Sequence, residues 1–268
     1  MPFATIAGSP LLPGVSPIDL YYRDTGPGPD AGGAAPLLVL HGGWGYGFYP
    51  FDAQLAALPG RRVVIPDRTG YGRSPRIAAL PARFHHAAAA EHEALLDALG
   101  IERCAIWGHS DGAVIAAIMA LRRPARVTAV ILEALHVDRE KPRSRAFFTM
   151  MAEAPDGFGP RIAARLAAEH GEDYWRTLLG AGGRAWLDIA ATPDEDFFDH
   201  RLGAITAPVL VLHGADDPRT EPGELAQVAR ALPGATIHQI AGAGHAPHSE
   251  RGASAEATAV ATQFLGAG

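Results

Sequence analysis

The feature that most constrains the fold is the stretch 105–118, where a short apolar run meets a glycine-punctuated turn and then a run rich in Ala, Val and Ile. The turn has the pattern G-x-S-x-G, with Gly108, Ser110 and Gly112 at its fixed positions. Glycines on both sides leave room for a turn so tight that the serine takes strained backbone angles and its hydroxyl points out of the sheet. The N–H of Asp111 would then lie at the start of a helix, where unpaired amides favour negative charge. Because an ordinary strand-to-helix turn with a capping serine has the same pattern, other residues must decide between the two.

Apolar runs and helical segments alternate along the rest of the chain. We predict strands at 18–22, 36–40, 62–65, 104–107, 127–132, 208–212 and 236–240, and helices after residue 110 and at 51–58, 84–99, 221–232 and 253–265. Residues 26–36, rich in Gly, Pro and Ala, are predicted to form a loop. The alternation is typical of the α/β class, with a mostly parallel central sheet and helices on both faces.

The rhythm changes between residues 137 and 203, where aromatic side chains follow helical rather than strand spacing. This change predicts an inserted helical unit, which we call the cap, at 137–203. The core domain is then formed by residues 1–136 and 204–268.

Composition and charge narrow the class of protein. With 268 residues and 48% hydrophobic side chains, the chain can bury one large core. A net charge of −6 and the lack of any Lys or Arg run argue against a nucleic-acid partner. The single cysteine, Cys104, cannot form an internal disulfide. The N-terminus has neither a basic start nor an unbroken apolar stretch, and no segment approaches the ~20 apolar residues of a membrane span, so we expect a cytoplasmic protein without a membrane partner.

A serine hydroxyl becomes a nucleophile when a base takes its proton and a carboxylate orients that base. His245 is the candidate base, because it lies in a Gly-rich loop after the last predicted strand, where the active-site groups of open α/β sheets gather. Asp216 and Asp217 follow the preceding strand, and either could be the orienting acid. The chain order Ser, Asp, His is that of the α/β-hydrolases.

With these residues in place, the chain resembles the α/β-hydrolase superfamily, in the subgroup that has a helical cap inserted after the sixth strand. The resemblance rests on five motifs in order, namely HGGWG from His41, DRTGYGRS from Asp67, GHSDG from Gly108, GADD from Gly214 and GHAP from Gly244. It implies that Asp217, the last residue of a G-x-x-D pattern, is the acid, with Asp216 as the alternative. It also implies an oxyanion hole made by the N–H groups of Gly43 (or Trp44) and Asp111.

Several other polar residues are interpreted as structural. We expect His41 to tie loops together beneath the oxyanion site, and Asp67 and Arg68 to brace their turn. The remaining candidates set aside are Glu133, Asp138 and His248 as triad members, and His85, His86, His92 and His136 as metal ligands, because their spacing fits no metal pattern. Neither a metal nor a cofactor is expected.

The aromatic residues of the cap have two interpretations. Most would pack as the apolar faces of helices, while a few would roof an apolar pocket over the serine. The candidate substrate contacts are Trp44, His109, Phe147, Phe148, Trp175 and Trp186.

These residues predict a serine hydrolase that cleaves carboxylic esters of small to medium, mostly apolar substrates through an acyl-enzyme on Ser110. Related dehalogenases and epoxide hydrolases carry an aspartate at this position, so Ser110 argues against both. One alternative is hydrolysis of a C–C bond or a lactone by the same triad, with Arg184 or Arg143 holding a substrate carboxylate. The other is a non-catalytic ligand receptor on the same scaffold. The oligomeric state stays open between monomer and homodimer.

Overall fold

The computed structural model describes residues 3–26 and 34–266. Its strands are β1 (Phe3–Ile6), β2 (Ile18–Asp24), β3 (Leu37–Leu40), β4 (Val63–Pro66), β5 (Cys104–His109), β6 (Val127–Glu133), β7 (Val209–Gly214) and β8 (Thr236–Ile240). Its helices are α1 (Asp52–Ala56), α2 (Phe84–Ala98), α3 (Asp111–Arg122), α4 (Arg145–Glu153), α5 (Pro160–His170), α6 (Trp175–Ala190), α7 (Glu224–Ala231) and α8 (Ser254–Gly266). Most of the predicted loop 26–36, namely residues 27–33, lies outside the described residues.

The eight strands form one sheet in the order β1-β2-β4-β3-β5-β6-β7-β8. Strand β2 pairs antiparallel with β1 on one side and with β4 on the other, and every other neighbouring pair is parallel. The mostly parallel α/β sheet predicted from the alternating pattern is therefore confirmed. From β3 the chain first adds β4 on one side and then β5 on the other, so the direction in which strands are added changes between β3 and β5. Ligands of open α/β sheets bind beyond the carboxyl ends of the strands at such a point.

Each central strand is buried on both faces, which explains why its sequence is continuously apolar. Residues of one parity, such as Leu38, Ile106 and Val130, pack with α2 and α3. Residues of the other parity, such as Val39 and Trp107, pack with α8 on the opposite face. The period of two along each strand therefore divides the core into two layers around the sheet.

Three helices, α4 to α6, lie in the chain between β6 and β7, within the stretch predicted to be helical. Helices α4 and α6 pack closely, since a Cβ on Gly183 would lie 2.6 Å from the carbonyl oxygen of Phe148. Helix α5 contacts the loop after β3, where Arg165 donates to the carbonyl of Phe48 at 2.8 Å and Glu169 accepts the N–H of Gly47 at 2.7 Å. The helical segment is thus attached to the loop that carries Gly43.

A few element bounds differ from the sequence-based ones. The antiparallel strand β1 was not predicted, because its four residues carry too short a pattern. The strand predicted at 104–107 continues through Gly108 to His109. The helix predicted from residue 221 begins at Glu224, because Gly223 takes a left-handed φ of 82°. None of the helices in the described ranges is both long and apolar enough to cross a bilayer.

Candidate active site

The nucleophile turn joins β5 to α3 with Ser110 at its apex. Ser110 has φ 57° and ψ −121°, a conformation that a residue with a side chain adopts only when the surroundings enforce it. A Cβ on Gly108 would overlap the carbonyl of Gly112, and a Cβ on Gly112 would overlap the carbonyl of Leu40. Both glycines are therefore required by close backbone contacts, as the G-x-S-x-G pattern predicts.

Three side chains from the carboxyl ends of three parallel strands meet at this turn. The Oγ of Ser110 lies 3.0 Å from Nε2 of His245, and Nδ1 of His245 lies 2.9 Å from Oδ2 of Asp217. All three residues are buried, with 9% of Ser110 and of His245 exposed. Because Nδ1 donates to the carboxylate, Nε2 presents its lone pair to the serine hydroxyl, which is the tautomer that a general base needs.

Asp217 rather than Asp216 faces the imidazole. Burial raises the pKa of Asp217, but the charge and hydrogen bond of His245 outweigh burial and hold that pKa well below its ordinary value. Its other oxygen, Oδ1, accepts the N–H of Arg219 at 2.9 Å. Asp216 is exposed, and its own N–H donates to the carbonyl of Ala243. The structure thus favours Asp217 over Asp216, the two acids left open by the sequence.

Two backbone amides border the cavity next to Ser110. The N–H of Gly43 donates to no group in the described part of the chain, and Asp111, the first residue of α3, has no acceptor within its own helix. Gly43 also has no room for a side chain, since a Cβ would lie 2.9 Å from Oδ2 of Asp111. This arrangement can bind an oxyanion formed on a carbonyl attacked by Ser110.

The side chain of Asp111 points away from solvent and does not act as a surface group. Its Oδ1 accepts hydrogen bonds from Nε2 of His85 and Nε1 of Trp186, both at 3.1 Å, and Arg68 lies 3.8 Å from Oδ2. Burial raises the pKa of Asp111, but these partners lower it by more than burial raises it, so the group stays a carboxylate. The two hydrogen bonds connect α3 with α2 and α6, and they fix the indole of Trp186 over the site.

A second imidazole, for which the sequence indicates no catalytic role, lies beside the nucleophile. Nε2 of His136 is 3.5 Å from Oγ of Ser110, and its ring stacks against that of His245 at 5.6 Å. Burial, followed by the charge of Lys141, holds the pKa of His136 well below its ordinary value. His245 is nearer to the hydroxyl and has a carboxylate partner, so it is the better placed base. No sequence signal beyond a position just after β6 indicated His136.

Two more histidines hold the loop after β8 that carries His245. Nε2 of His109 donates to the carbonyl of His245 at 2.9 Å, and burial lowers the pKa of His109 to about 3. The ring of His248 donates from Nδ1 to Glu133 at 2.7 Å and from Nε2 to the carbonyl of Tyr49 at 3.1 Å. His41 accepts the N–H of Arg68 at 3.2 Å, which ties the loop after β3 to the turn after β4.

The cavity above Ser110 is lined mainly by aromatic side chains. Five of the predicted contacts, Trp44, His109, Phe147, Phe148 and Trp186, line it. Lining residues that the sequence analysis did not identify are Tyr49, Tyr71, His136, Met151, Gly182 and Arg219. The prediction for Trp175 is wrong, because this side chain is fully buried and does not line the cavity. Trp175 and Trp186 lie on the same side of α6 but eleven residues apart, about 16 Å along the axis, so only one can lie over the serine.

The prediction that Arg184 or Arg143 could bind a substrate carboxylate is also wrong. Arg143 and Arg184 are exposed and do not line the cavity. A residue after β7, Arg219, enters the cavity instead. As for metals, residues 3–26 and 34–266 contain no group of three or more His, Cys, Asp or Glu side chains able to hold an ion.

Comparison with known proteins identifies the family of this chain. The model of the family described as alpha/beta hydrolase fold matches residues 35–188, more than half of the chain. RutD of Variovorax paradoxus (strain S110), provisionally named a carbamate hydrolase, is 32% identical over 246 residues, which cover 85% of this chain and 89% of that protein. The bifunctional esterase/perhydrolase DCH of Acinetobacter calcoaceticus is 29% identical over 226 residues, covering 75% and 79% of the two chains.

The fold also matches solved structures. A thermophilic esterase from Thermogutta terrifontis superimposes with a TM-score of 0.71 at 22% identity, over 98% of this chain and 97% of that one. At this identity the likeness shows the fold alone. Together, the family match and the relative at 32% identity confirm the resemblance read from the five motifs: the chain belongs to the α/β-hydrolase superfamily and is a hydrolase of that family.

Proposed function

We propose that this protein is a serine esterase that cleaves carboxylic esters through an acyl-enzyme on Ser110. The observation that carries the proposal is the continuous hydrogen-bond chain from Oγ of Ser110 through His245 to Asp217, at 3.0 and 2.9 Å. A serine held in this way, beside two unpaired amides and under an apolar roof, suits attack on a carbonyl carbon.

In the first half of the reaction, the ester carbonyl lies with its oxygen toward the amides of Gly43 and Asp111. Oγ attacks the carbonyl carbon while Nε2 of His245 takes the hydroxyl proton, and the charge of Asp217 stabilises the imidazolium. The tetrahedral intermediate then breaks its bond to the alcohol oxygen, which receives the proton from His245. The acyl group remains on Ser110.

In the second half, water replaces the alcohol. His245 takes a proton from the water as its oxygen attacks the acyl carbon, and the same two amides bind the new oxyanion. The bond to Oγ breaks, the proton returns to the serine, and the carboxylic acid leaves. No cofactor takes part in this scheme.

The aromatic lining of the cavity favours a substrate whose acyl or alcohol group is apolar and of limited size. Trp44 stacks on Phe147 at 5.6 Å, and Phe148 stacks on Trp186 at 5.1 Å, so the roof consists of rings that hold one another in place. The esterase named among the relatives, DCH, is consistent with an ester substrate. RutD, provisionally a carbamate hydrolase, makes a carbamate the natural second substrate to assay.

Turnover of p-nitrophenyl acetate and butyrate by the wild type and by Ser110→Ala tests the proposal. We expect a rapid burst of nitrophenolate followed by steady turnover in the wild type, and loss of both in the variant. Ser254→Ala, which changes a half-buried serine at the start of α8, is the matched control and should behave like the wild type.

The alternatives predict other outcomes. A lactone or C–C hydrolase would leave both esters unhydrolysed while turning over a lactone or a dienoate in a Ser110-dependent way. A ligand receptor would show no difference between the wild type and Ser110→Ala on any of these compounds. Either result would refute the esterase proposal.

A further inference from the structure

Arg219 brings a positive charge into the cavity above Ser110. It is the only Lys or Arg among the described residues that line this cavity. Its guanidinium carbon lies 3.5 Å from the centre of the Phe147 ring, so that it stacks under the first helix of the roof. A cation in an otherwise aromatic cavity is costly to keep there unless it meets a partner.

No carboxylate pairs with this guanidinium in the described part of the chain. Its side-chain nitrogens make no ion pair there, whereas arginines such as Arg62 and Arg139 bond to Asp24 and Glu195. The nearby carboxylate of Asp217 is already used, with one oxygen on His245 and the other on the backbone N–H of Arg219. The hydroxyl of Tyr49 is a neutral hydrogen-bonding neighbour of the guanidinium, and the carboxylate of Asp111 acts on its charge without pairing with it.

The contact with Phe147 occupies a face of the guanidinium and not its edge. Its five N–H donors lie in the plane of the group, and the hydroxyl of Tyr49 is a neutral acceptor beside them. Such an edge matches the two oxygens of a carboxylate, which it can bind with two parallel hydrogen bonds.

The backbone that carries Arg219 is also fixed. Its carbonyl accepts Nζ of Lys141 at 3.0 Å, and Lys141 is fully buried against Glu224. Its N–H donates to Asp217. A side chain mounted next to the catalytic acid in this way has little freedom to leave the cavity.

We propose that Arg219 binds a carboxylate carried by the substrate, so that the preferred esters are those with a free carboxylate on their acyl or alcohol part. This inference rests on the proposed esterase function and names its substrate class. The protein as a whole carries a net charge of −6 and does not attract anions, so the preference must come from this local cation.

The test compares esters that differ in one charge. On the acyl side, monomethyl adipate is compared with dimethyl adipate, and on the alcohol side 3-acetoxybenzoate is compared with phenyl acetate. We expect the wild type to prefer the charged member of one pair in kcat/KM. Arg219→Met should lower that value by about 10- to 100-fold while it changes the neutral ester by less than about threefold. Arg219→Lys should fall between the two, because it keeps the charge but loses the paired donors.

Two controls separate this inference from the esterase proposal. Arg230→Met removes an exposed charge outside the cavity and should leave both ratios unchanged. Calorimetric titration of Ser110→Ala and of Ser110→Ala/Arg219→Met with the two adipate esters measures binding without turnover. Tighter binding of the monoester that depends on Arg219 would support the anion site even if no ester is hydrolysed.

The inference is overturned if Arg219→Met lowers charged and neutral esters equally, if the wild type shows no charge preference in either pair, or if calorimetry shows the same affinity with and without Arg219. In each of these cases the arginine only supports Phe147. Ser110-dependent hydrolysis of neutral esters would still stand.

Discussion

Replacing Asp217 by Asn tests how the acid controls the base. The carboxylate has two occupied oxygens, with Oδ1 accepting the N–H of Arg219 and Oδ2 accepting Nδ1–H of His245. In the Asn variant, the amide oxygen must face the N–H of Arg219 to keep that hydrogen bond. Its NH₂ group then faces Nδ1, so His245 must accept there and carry its proton on Nε2. That tautomer cannot take the proton of Ser110.

The expected magnitude follows from that inversion. A triad held in the wrong tautomer, without the charge that stabilises the imidazolium, loses about 10³- to 10⁴-fold in kcat, or about 4–5.5 kcal/mol of transition-state stabilisation. KM should change little, because Asp217 does not line the cavity. Asp216→Asn is the matched control, and it should keep nearly full activity, since that side chain is exposed.

The assay is steady-state hydrolysis of p-nitrophenyl butyrate, with the thermal transition as a check on folding. Nitrogen-15 NMR of the His245 ring reports the tautomer directly and should show the proton moving from Nδ1 to Nε2 in Asp217→Asn. A folded Asp217→Asn variant that keeps more than a tenth of the wild-type kcat would contradict this prediction, and so would an inactive Asp216→Asn variant.

Three further changes probe stability. Gly108→Ala forces a Cβ into the backbone of Gly112 and should lower the unfolding free energy by more than about 3 kcal/mol. Gly234→Ala is the control, because its Cβ would have no atom within 4 Å, and it should stay within about 0.5 kcal/mol of the wild type. Urea titration measures both. Burial raises the pKa of Glu133, but the interaction with His248 outweighs burial and lowers that pKa from 4.5 to about 2. The pair therefore contributes stability of order 3 kcal/mol, which is present above pH ~4.5 and is lost as the pH falls through about 2. Glu133→Gln should abolish this pH dependence of the unfolding free energy in acid titrations. Burial raises the pKa of Glu169 to about 7, so the pH dependence of its contribution to stability is the opposite of that of Glu133. The contribution is present below pH ~4.5 and is lost as the pH rises through about 7. Glu169→Gln should therefore raise the melting temperature at pH 8 more than at pH 5, and an equal shift at both would contradict this prediction.

Much of the fold could be predicted from the sequence, because its strands are buried on both faces and read as unbroken apolar runs. Runs such as the one that became β3 need no partner information to be recognised, and the glycines around Ser110 indicate a turn by their spacing alone. The short edge strand β1 could not be predicted, since its four residues alternate only twice and pairing with β2 stabilises them.

The site was harder to predict where a residue's role depends on distances between elements. Ser110, Asp217 and His245 follow strands that end at one sheet edge, so chain order and topology bring them together. His136 and Arg219 also follow strands, β6 and β7, but no motif distinguishes their side chains from other loop residues. Trp175 and Trp186 lie on one side of α6, and helical spacing carries no information about which turn of the helix lies over Ser110.

The central claim is that Ser110 is made nucleophilic by His245, and covalent labelling tests it most directly. The wild-type protein would be treated with a fluorophosphonate probe, digested and mapped by mass spectrometry, with Ser110→Ala treated in parallel. We expect one labelled peptide, modified at Ser110, and no labelling in the variant. An unlabelled wild-type protein, or a label on another serine that persists in Ser110→Ala, would contradict it.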